Sequence, residues 1–257
     1  MKSIQLFGVT FQNYTFSDLL AFMDKQIQAG DSAYVVTCNV DHLMKLRDNE
    51  AFQQAYEGAA VIVADGMPVI WASRLLGKPL RQKVSGSDLF NQLGSSIADR
   101  GYRLYFLGAG EHIASRAAAK LQETYPGIQI VGCYSPPPRF EYSQAETDKM
   151  IQYIRAAKPD IVLVGVGAPK QEIWMSRHFQ AYGAPVSIGV GATFDFIAGH
   201  RRRAPLWMQR NGLEWLWRLL QEPRRLWRRY LVEDIGFIPM VWKEWRLKRK
   251  EEKKYGR

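Results

Sequence analysis

The sequence predicts an α/β protein: a mostly parallel sheet covered by helices on both faces, continued by a basic, tryptophan-rich helical appendage at the C-terminus. Three observations predict it. From Tyr34 to Gly191, short apolar or β-branched runs alternate with longer helical stretches. Each run ends in a polar turn that often carries glycine. The net charge of +10 falls entirely within residues 200–257, because residues 1–199 hold 18 Lys+Arg against 18 Asp+Glu while the last 58 hold 17 against 7.

The expected strands are Tyr34-Val35-Val36, Val61-Ile62-Val63, Arg103 to Leu107, Ile128 to Val131, Ile161 to Val164 and Val186-Ser187-Ile188. Helical stretches fall between most of them: Asp41–Tyr56, Ser87–Arg100, His112–Thr124, Ser143–Ala157 and Pro169–Tyr182. Parallel strands need crossover helices, and strands buried on both faces read as continuous apolar runs, so this spacing implies a Rossmann-like sheet core. Pro136-Pro137-Pro138 reads as a stiff surface loop. Composition changes abruptly at Gly199-His200-Arg201-Arg202-Arg203, which divides the chain into a core over 1–199 and an appendage over 200–257.

With 47% hydrophobic and 23% charged residues the chain is an ordinary globular protein, not a disordered one. Its two cysteines, Cys38 and Cys133, lack the spacing of a zinc site or of a secreted disulfide scaffold, and its four histidines are scattered. A reducing, cytoplasmic setting is expected, with no metal site and no cofactor. The N-terminus has no signal-peptide core, and no uncharged stretch reaches the ~20 residues of a membrane span.

In an open α/β sheet the ligand lies beyond the carboxyl ends of the strands. The turns there are Thr37-Cys38-Asn39, Ala64-Asp65-Gly66, Gly108-Ala109-Gly110, Gly165 to Glu172 and Gly189 to Asp195. Gly108 and Gly110 between a strand and a helix let backbone amides approach a phosphate, although the same pair serves equally as a tight turn, and the third glycine of a dinucleotide fingerprint is missing. Asp65, at a strand end before Gly66 and Pro68, reads either as a helix cap or as a base for a sugar hydroxyl. No Asp-x-Asp pair is present to carry Mg²⁺ or Mn²⁺, so a leaving diphosphate would fall to helix dipoles and to cations such as Arg81, Lys83 and the tail arginines.

The appendage holds six of the eight tryptophans. Leu213, Leu216, Trp217 and Leu220 keep the spacing of an amphipathic helix, and Pro223 suits the start of another. Arginine interleaved with Trp and Leu fits a helix lying on anionic lipid; the alternative is that these residues pack on the body.

Taken in order, Thr37-Cys38-Asn39, Ala64-Asp65-Gly66, Val84-Ser85-Gly86-Ser87-Asp88, Leu107-Gly108-Ala109, Gly167-Ala168-Pro169-Lys170-Gln171-Glu172, Gly189 to Asp195 and Arg203-Ala204-Pro205 through Gly212-Leu213-Glu214-Trp215 to Arg218 and Glu222-Pro223-Arg224-Arg225 resemble the WecG/TagA/CpsF family of bacterial glycosyltransferases. The resemblance implies an inverting, metal-independent transfer of a sugar. It is commonly N-acetylmannosamine, moved from a UDP donor to polyprenyl-diphosphate-linked N-acetylglucosamine by a protein peripheral to the inner face of the cell membrane. Other donors of the same family, a mannosamine uronic acid or a glucose type, stay open. Carried over, Asp65 is the general base, Thr37 and Asn39 position substrate, and Gln171 contacts the sugars. Gly108 and Asp195 fall in nucleotide-site motifs, and Arg218, Arg225 and Arg228 close over the diphosphate. Lys83 stands where the family usually has arginine, which keeps the charge and loses the bidentate fork. Ala64 replaces the usual proline, and Ala192-Thr193 a Gly-Ser.

The resemblance leaves self-association in solution open and implies no nucleic-acid partner. A nucleic-acid-binding module, which predicts salt-sensitive binding and no UDP release, is the rival from another class, and a dinucleotide oxidoreductase is a third reading.

Overall fold

The structure is a computed structural model that describes residues 3–255; Met1, Lys2 and the last two positions of the 200–257 appendage lie outside the described residues. A β-hairpin, β1 (Ser3–Leu6) with β2 (Val9–Gln12), opens the chain, followed by α1 (Phe16–Ala29). The body then runs β3 (Ala33–Cys38), α2 (Val40–Lys45), α3 (Glu50–Glu57), β4 (Val61–Ala64), α4 (Met67–Leu75) and α5 (Leu89–Asp99). It continues β5 (Arg103–Gly108), α6 (Ile113–Thr124), β6 (Gln129–Tyr134), α7 (Gln144–Ala157), β7 (Ile161–Gly165), α8 (Lys170–Tyr182), β8 (Val186–Gly189) and α9 (Thr193–Ile197). The tail comprises α10 (Leu206–Arg210), α11 (Glu214–Gln221), α12 (Pro223–Arg228), a π-turn over Arg229–Glu233 and α13 (Phe237–Tyr255).

Among the described residues β3 to β8 form one parallel sheet in the order β4-β3-β8-β7-β5-β6. All six expected strands are present. Their residues alternate between two cores, as the period of two requires. Tyr34, Val36, Val162 and Val164 face Leu43, Phe52, Met150 and Met175, whereas Val35, Ile161 and Leu163 face Leu19, Met23, Leu93 and Leu121. The free edge of β4 is covered by the hairpin, where Ile62 N donates to Gln12 Oε1 at 2.5 Å.

The expected helix Asp41–Tyr56 is two helices. Asn49 leaves helical geometry and its side chain accepts from Phe52 N at 3.0 Å, capping α3 and ending the α2 segment. Pro136 to Pro138 fall in the loop after β6.

The tail folds back over the carboxyl rim of the sheet. Phe237 joins the first core, with its ring 5.2 Å from that of Phe7 in the hairpin turn; Met240, Val241 and Trp245 pack beside it. Phe7 N donates to Glu244 Oε1 at 2.7 Å, and Leu226 and Met208 are buried. Other apolar side chains stay in solvent, among them Trp207, Leu220, Trp227, Val232, Ile238 and Trp242.

Candidate active site

The carboxyl ends of β3, β4, β7 and β8 floor a cavity of about 620 Å³ whose walls come from the tail. Glycine lets these ends approach closely. A Cβ on Gly189 would lie 2.8 Å from Gln171 Nε2, and one on Gly108, whose φ is +119°, would lie 2.5 Å from the carbonyl carbon of Gly165.

Asp65 emerges from β4 into this cavity, its N–H bonded to Cys38 O at 2.7 Å. Of its two sequence readings, capping is removed: Gly66 occupies the cap position of α4, which has no side-chain cap bond. The carboxyl is therefore left to the cavity. Burial raises its pKa to about 7; Lys83 and Arg218 oppose that rise, while Glu214 and Asp88 add to it. A carboxylate poised near neutrality suits a general base.

Thr37 and Asn39 line the cavity beside it. Thr37 Oγ1 donates to Gly189 O at 3.0 Å, tying β3 to the end of β8, and Asn39 Oδ1 accepts from His42 N at 3.1 Å, capping α2. Gln171 also lines it and is 2% exposed. Its Oε1 accepts from Gly167 N and Gly191 N, each at 3.2 Å, while Nε2 donates to Glu172 Oε1 at 2.6 Å. One amide thus pins the two glycine turns that follow β7 and β8.

The remaining expected residues divide. Arg218 and Arg225 line the cavity; Arg218 lies over the Phe196 ring at 6.0 Å, and Arg225 pairs with Glu222. Arg228 points away, exposed and 3.3 Å from Glu233, and the adjacent Arg229 takes the inward position. Lys83 stands behind the wall, bonded to Asp88 and Glu214 at 3.0 Å each. Asp195 lies 3.5 Å from Arg201, itself a cavity residue that also bonds Glu222 at 2.9 Å. Gly108 and Gly110 sit one strand beyond β7, outside the cavity lining, in a turn braced by the Ser135 hydroxyl at 3.2 and 3.1 Å from their carbonyls.

Sequence reading missed a buried polar cluster at the floor, where His42 lines the cavity. His42 Nδ1 is 2.7 Å from the Tyr56 hydroxyl, and its Nε2 is 3.9 Å from Glu172 Oε1. Burial holds His42 down to about 3, against the pull of Asp41, and pushes Glu172 up to about 7 despite the bond from Gln171. Glu172 Oε2 has no partner among the described residues. It also missed Arg229, whose Nε lies 3.3 Å from Asp41 and 3.8 Å from Asp234; Asp41 further pairs with Lys45. The only sequence signal for Arg229 was its place in the tail's arginine-rich run.

The fold and the cavity define a doubly wound α/β protein with a cavity at the carboxyl rim of the sheet, roofed by basic residues of the tail. The chain belongs to the glycosyl transferase WecG/TagA/CpsF family, whose model matches residues 4–251. It is 32% identical over 224 residues to the N-acetylglucosaminyldiphosphoundecaprenol N-acetyl-beta-D-mannosaminyltransferase of Bacillus spizizenii, covering 85% of this chain and 84% of that one. It is 28% identical over 227 residues to the protein of the same description from Staphylococcus aureus strain MW2, covering 88% and 87%. The nucleic-acid and oxidoreductase readings gain nothing from these matches.

Proposed function

We propose that this protein transfers N-acetylmannosamine from a UDP donor to the 4-hydroxyl of undecaprenyl-diphosphate-linked N-acetylglucosamine, with inversion at the donor C1. The observation that carries the reading is Asp65: an uncapped carboxylate on the cavity floor, raised to about 7, in a chain whose relatives are named for this transfer. Asp65 takes the acceptor proton as the hydroxyl oxygen bonds C1, the C1–O bond to the diphosphate breaks, and UDP leaves with that electron pair. Arg201, Arg218, Arg225 and Arg229 on the lid meet the negative charge of the diphosphates. Thr37, Asn39 and Gln171 hold the backbone turns against which the sugars are placed.

The test is UDP release from UDP-N-acetylmannosamine with the lipid-linked acceptor in EDTA. Acceptor-dependent release is expected, with Asp65→Asn losing turnover while keeping UDP affinity. Full activity in that variant removes Asp65 from the mechanism.

The exposed Trp207, Trp227, Trp242, Leu220 and Ile238, set among tail arginines and lysines, support a tail that lies on the anionic inner face of the cell membrane. Each basic residue near such a surface contributes ~1 kcal/mol. No helix among the described residues is long and apolar enough to cross a membrane. Flotation with phosphatidylglycerol vesicles should carry the full chain upward, and loss of flotation should follow replacement of these tryptophans by serine. Equal flotation of both proteins refutes the assignment.

A further inference from the structure

Beside Asp65 the body and the tail share a four-membered charge cluster. Val84 N donates to Ala64 O at 2.8 Å, which lays Lys83 alongside Asp65 as a neighbouring strand would. The Lys83 ammonium, 14% exposed, bonds Asp88 Oδ2 and Glu214 Oε2 at 3.0 Å each. Arg203 completes the cluster: it bonds Asp88 Oδ1, reaches Ser87 O at 3.1 Å and stands 3.7 Å from Glu214 Oε1. Lys83 and Asp88 belong to the body, whereas Arg203 and Glu214 come from the tail. The charged and titratable groups that face Asp65 are Lys83 from the loop after α4, Asp88 at the start of α5, Glu214 and Arg218 from α11, and the Cys38 thiol of β3.

Resting on the reading of Asp65 as the base, we propose that Glu214 is a positioning residue: by bonding Lys83 it keeps that ammonium from pairing with Asp65, so the base has full strength only while α11 is seated. Two facts of chemistry lie behind this. A cation paired directly with a carboxylate lowers its pKa by roughly 1–3 units. A carboxylate so lowered is a weaker acceptor for a hydroxyl proton. With Glu214 in place, two carboxylates other than Asp65 hold Lys83 at hydrogen-bond distance. Burial alone would press the ammonium's pKa down, yet Glu214 and Asp88, with a smaller share from Asp65, raise it, so Lys83 stays charged. When α11 lifts, Glu214 leaves with it, Asp88 alone is left on the Lys83 ammonium, and Asp65 becomes the open second partner for a lysine that keeps its charge.

The experiment is the pH dependence of kcat/KM for the full chain and for Glu214→Gln, Lys83→Met and the double variant. Asp65 works deprotonated, so kcat/KM rises with pH through its pKa and is lost below it. Glu214→Gln should move this acid limb down by about one unit and lower the alkaline plateau several-fold, because the base ionises more readily and accepts protons less well. Lys83→Met should move the limb up. In the Lys83→Met background, Glu214→Gln should move it by less than half as much. An unmoved limb in Glu214→Gln, or an equal shift in both backgrounds, overturns the proposal. Titration of the Asp65 carboxyl by ¹³C NMR in the ligand-free protein, assigned with Asp65→Asn, reads the same shift without turnover. Should Glu214→Gln not fold, the limb is read in Glu214→Asp, whose shorter side chain loosens the bond to Lys83: a downward shift is expected, and an unmoved limb overturns the proposal. If Asp65→Asn keeps wild-type kcat/KM, it is the reading of the base that fails, which separates the two outcomes.

Discussion

Replacing Gln171 by leucine tests whether one side chain holds the floor of the site. The two side chains are close in volume, so the change removes polarity with little change in packing. Three hydrogen bonds go: those from Gly167 N and Gly191 N, each 3.2 Å long, and the 2.6 Å bond to Glu172 Oε1. Leaving a buried donor or acceptor without its partner costs roughly 1–3 kcal/mol. Gly167 and Gly191 border the cavity, where water can take part of the load, which puts each near the lower figure. Glu172 faces no water, but protonation limits its cost because its pKa already stands at about 7. The sum is about 3 kcal/mol. Urea unfolding followed by tryptophan fluorescence should show that loss, and kcat/KM should drop by ~100-fold as the two turns lose their common anchor. A loss under 1 kcal/mol with unchanged kcat/KM would mean that the glycine turns hold their shape without Gln171, and the reasoning would be refuted.

Arg229→Met leaves Asp41, 4% exposed, paired with Lys45 alone among the described residues, and should cost about 2 kcal/mol, below the full penalty for an unpaired buried charge; a midpoint equal to wild type counts against the lid contact. Glu172 titrates near 4.5 when unfolded and about 7 when folded, so its contribution to stability is full below 4.5 and is lost as pH rises through 7. Melting temperature measured from pH 4 to 9 should fall less steeply across that window in Glu172→Gln than in wild type, by the equivalent of about 3 kcal/mol; parallel curves refute it.

The sheet was legible because parallel strands buried on both faces must be apolar without interruption, and Ile161 to Val164 can hardly be anything else. The break between α2 and α3 was not. Leu43, Phe52 and Tyr56 lie on one apolar side across it, so the periodicity hides an interruption that only the Asn49 cap creates. The opening hairpin escaped because its turn places Phe7 at φ 55° before Gly8, where Asn or Asp is the usual signal. Asp65, Thr37, Asn39 and Gln171 were findable from their place after strands. Which of Arg228 and Arg229 faces inward was not, since adjacent residues differ by about 100° around a helix and the π-turn that begins there fixes the phase. Glu172 sat in a quoted motif, but nothing in the sequence says that two adjacent polar residues are both buried.

The roof of the cavity is made after its floor. The sheet ends at Gly189, yet Glu214, Arg218, Arg229 and Phe237 are all still to come, and Phe237 must find a core begun by Ile4 and Leu6. On the ribosome, where chains fold from the N-terminus onward, the strands and their floor of polar turns form first and wait, open, for a lid still being synthesised. The nascent protein therefore passes through a stage with a finished sheet and an unfinished site, and the base is enclosed only once the tail has followed.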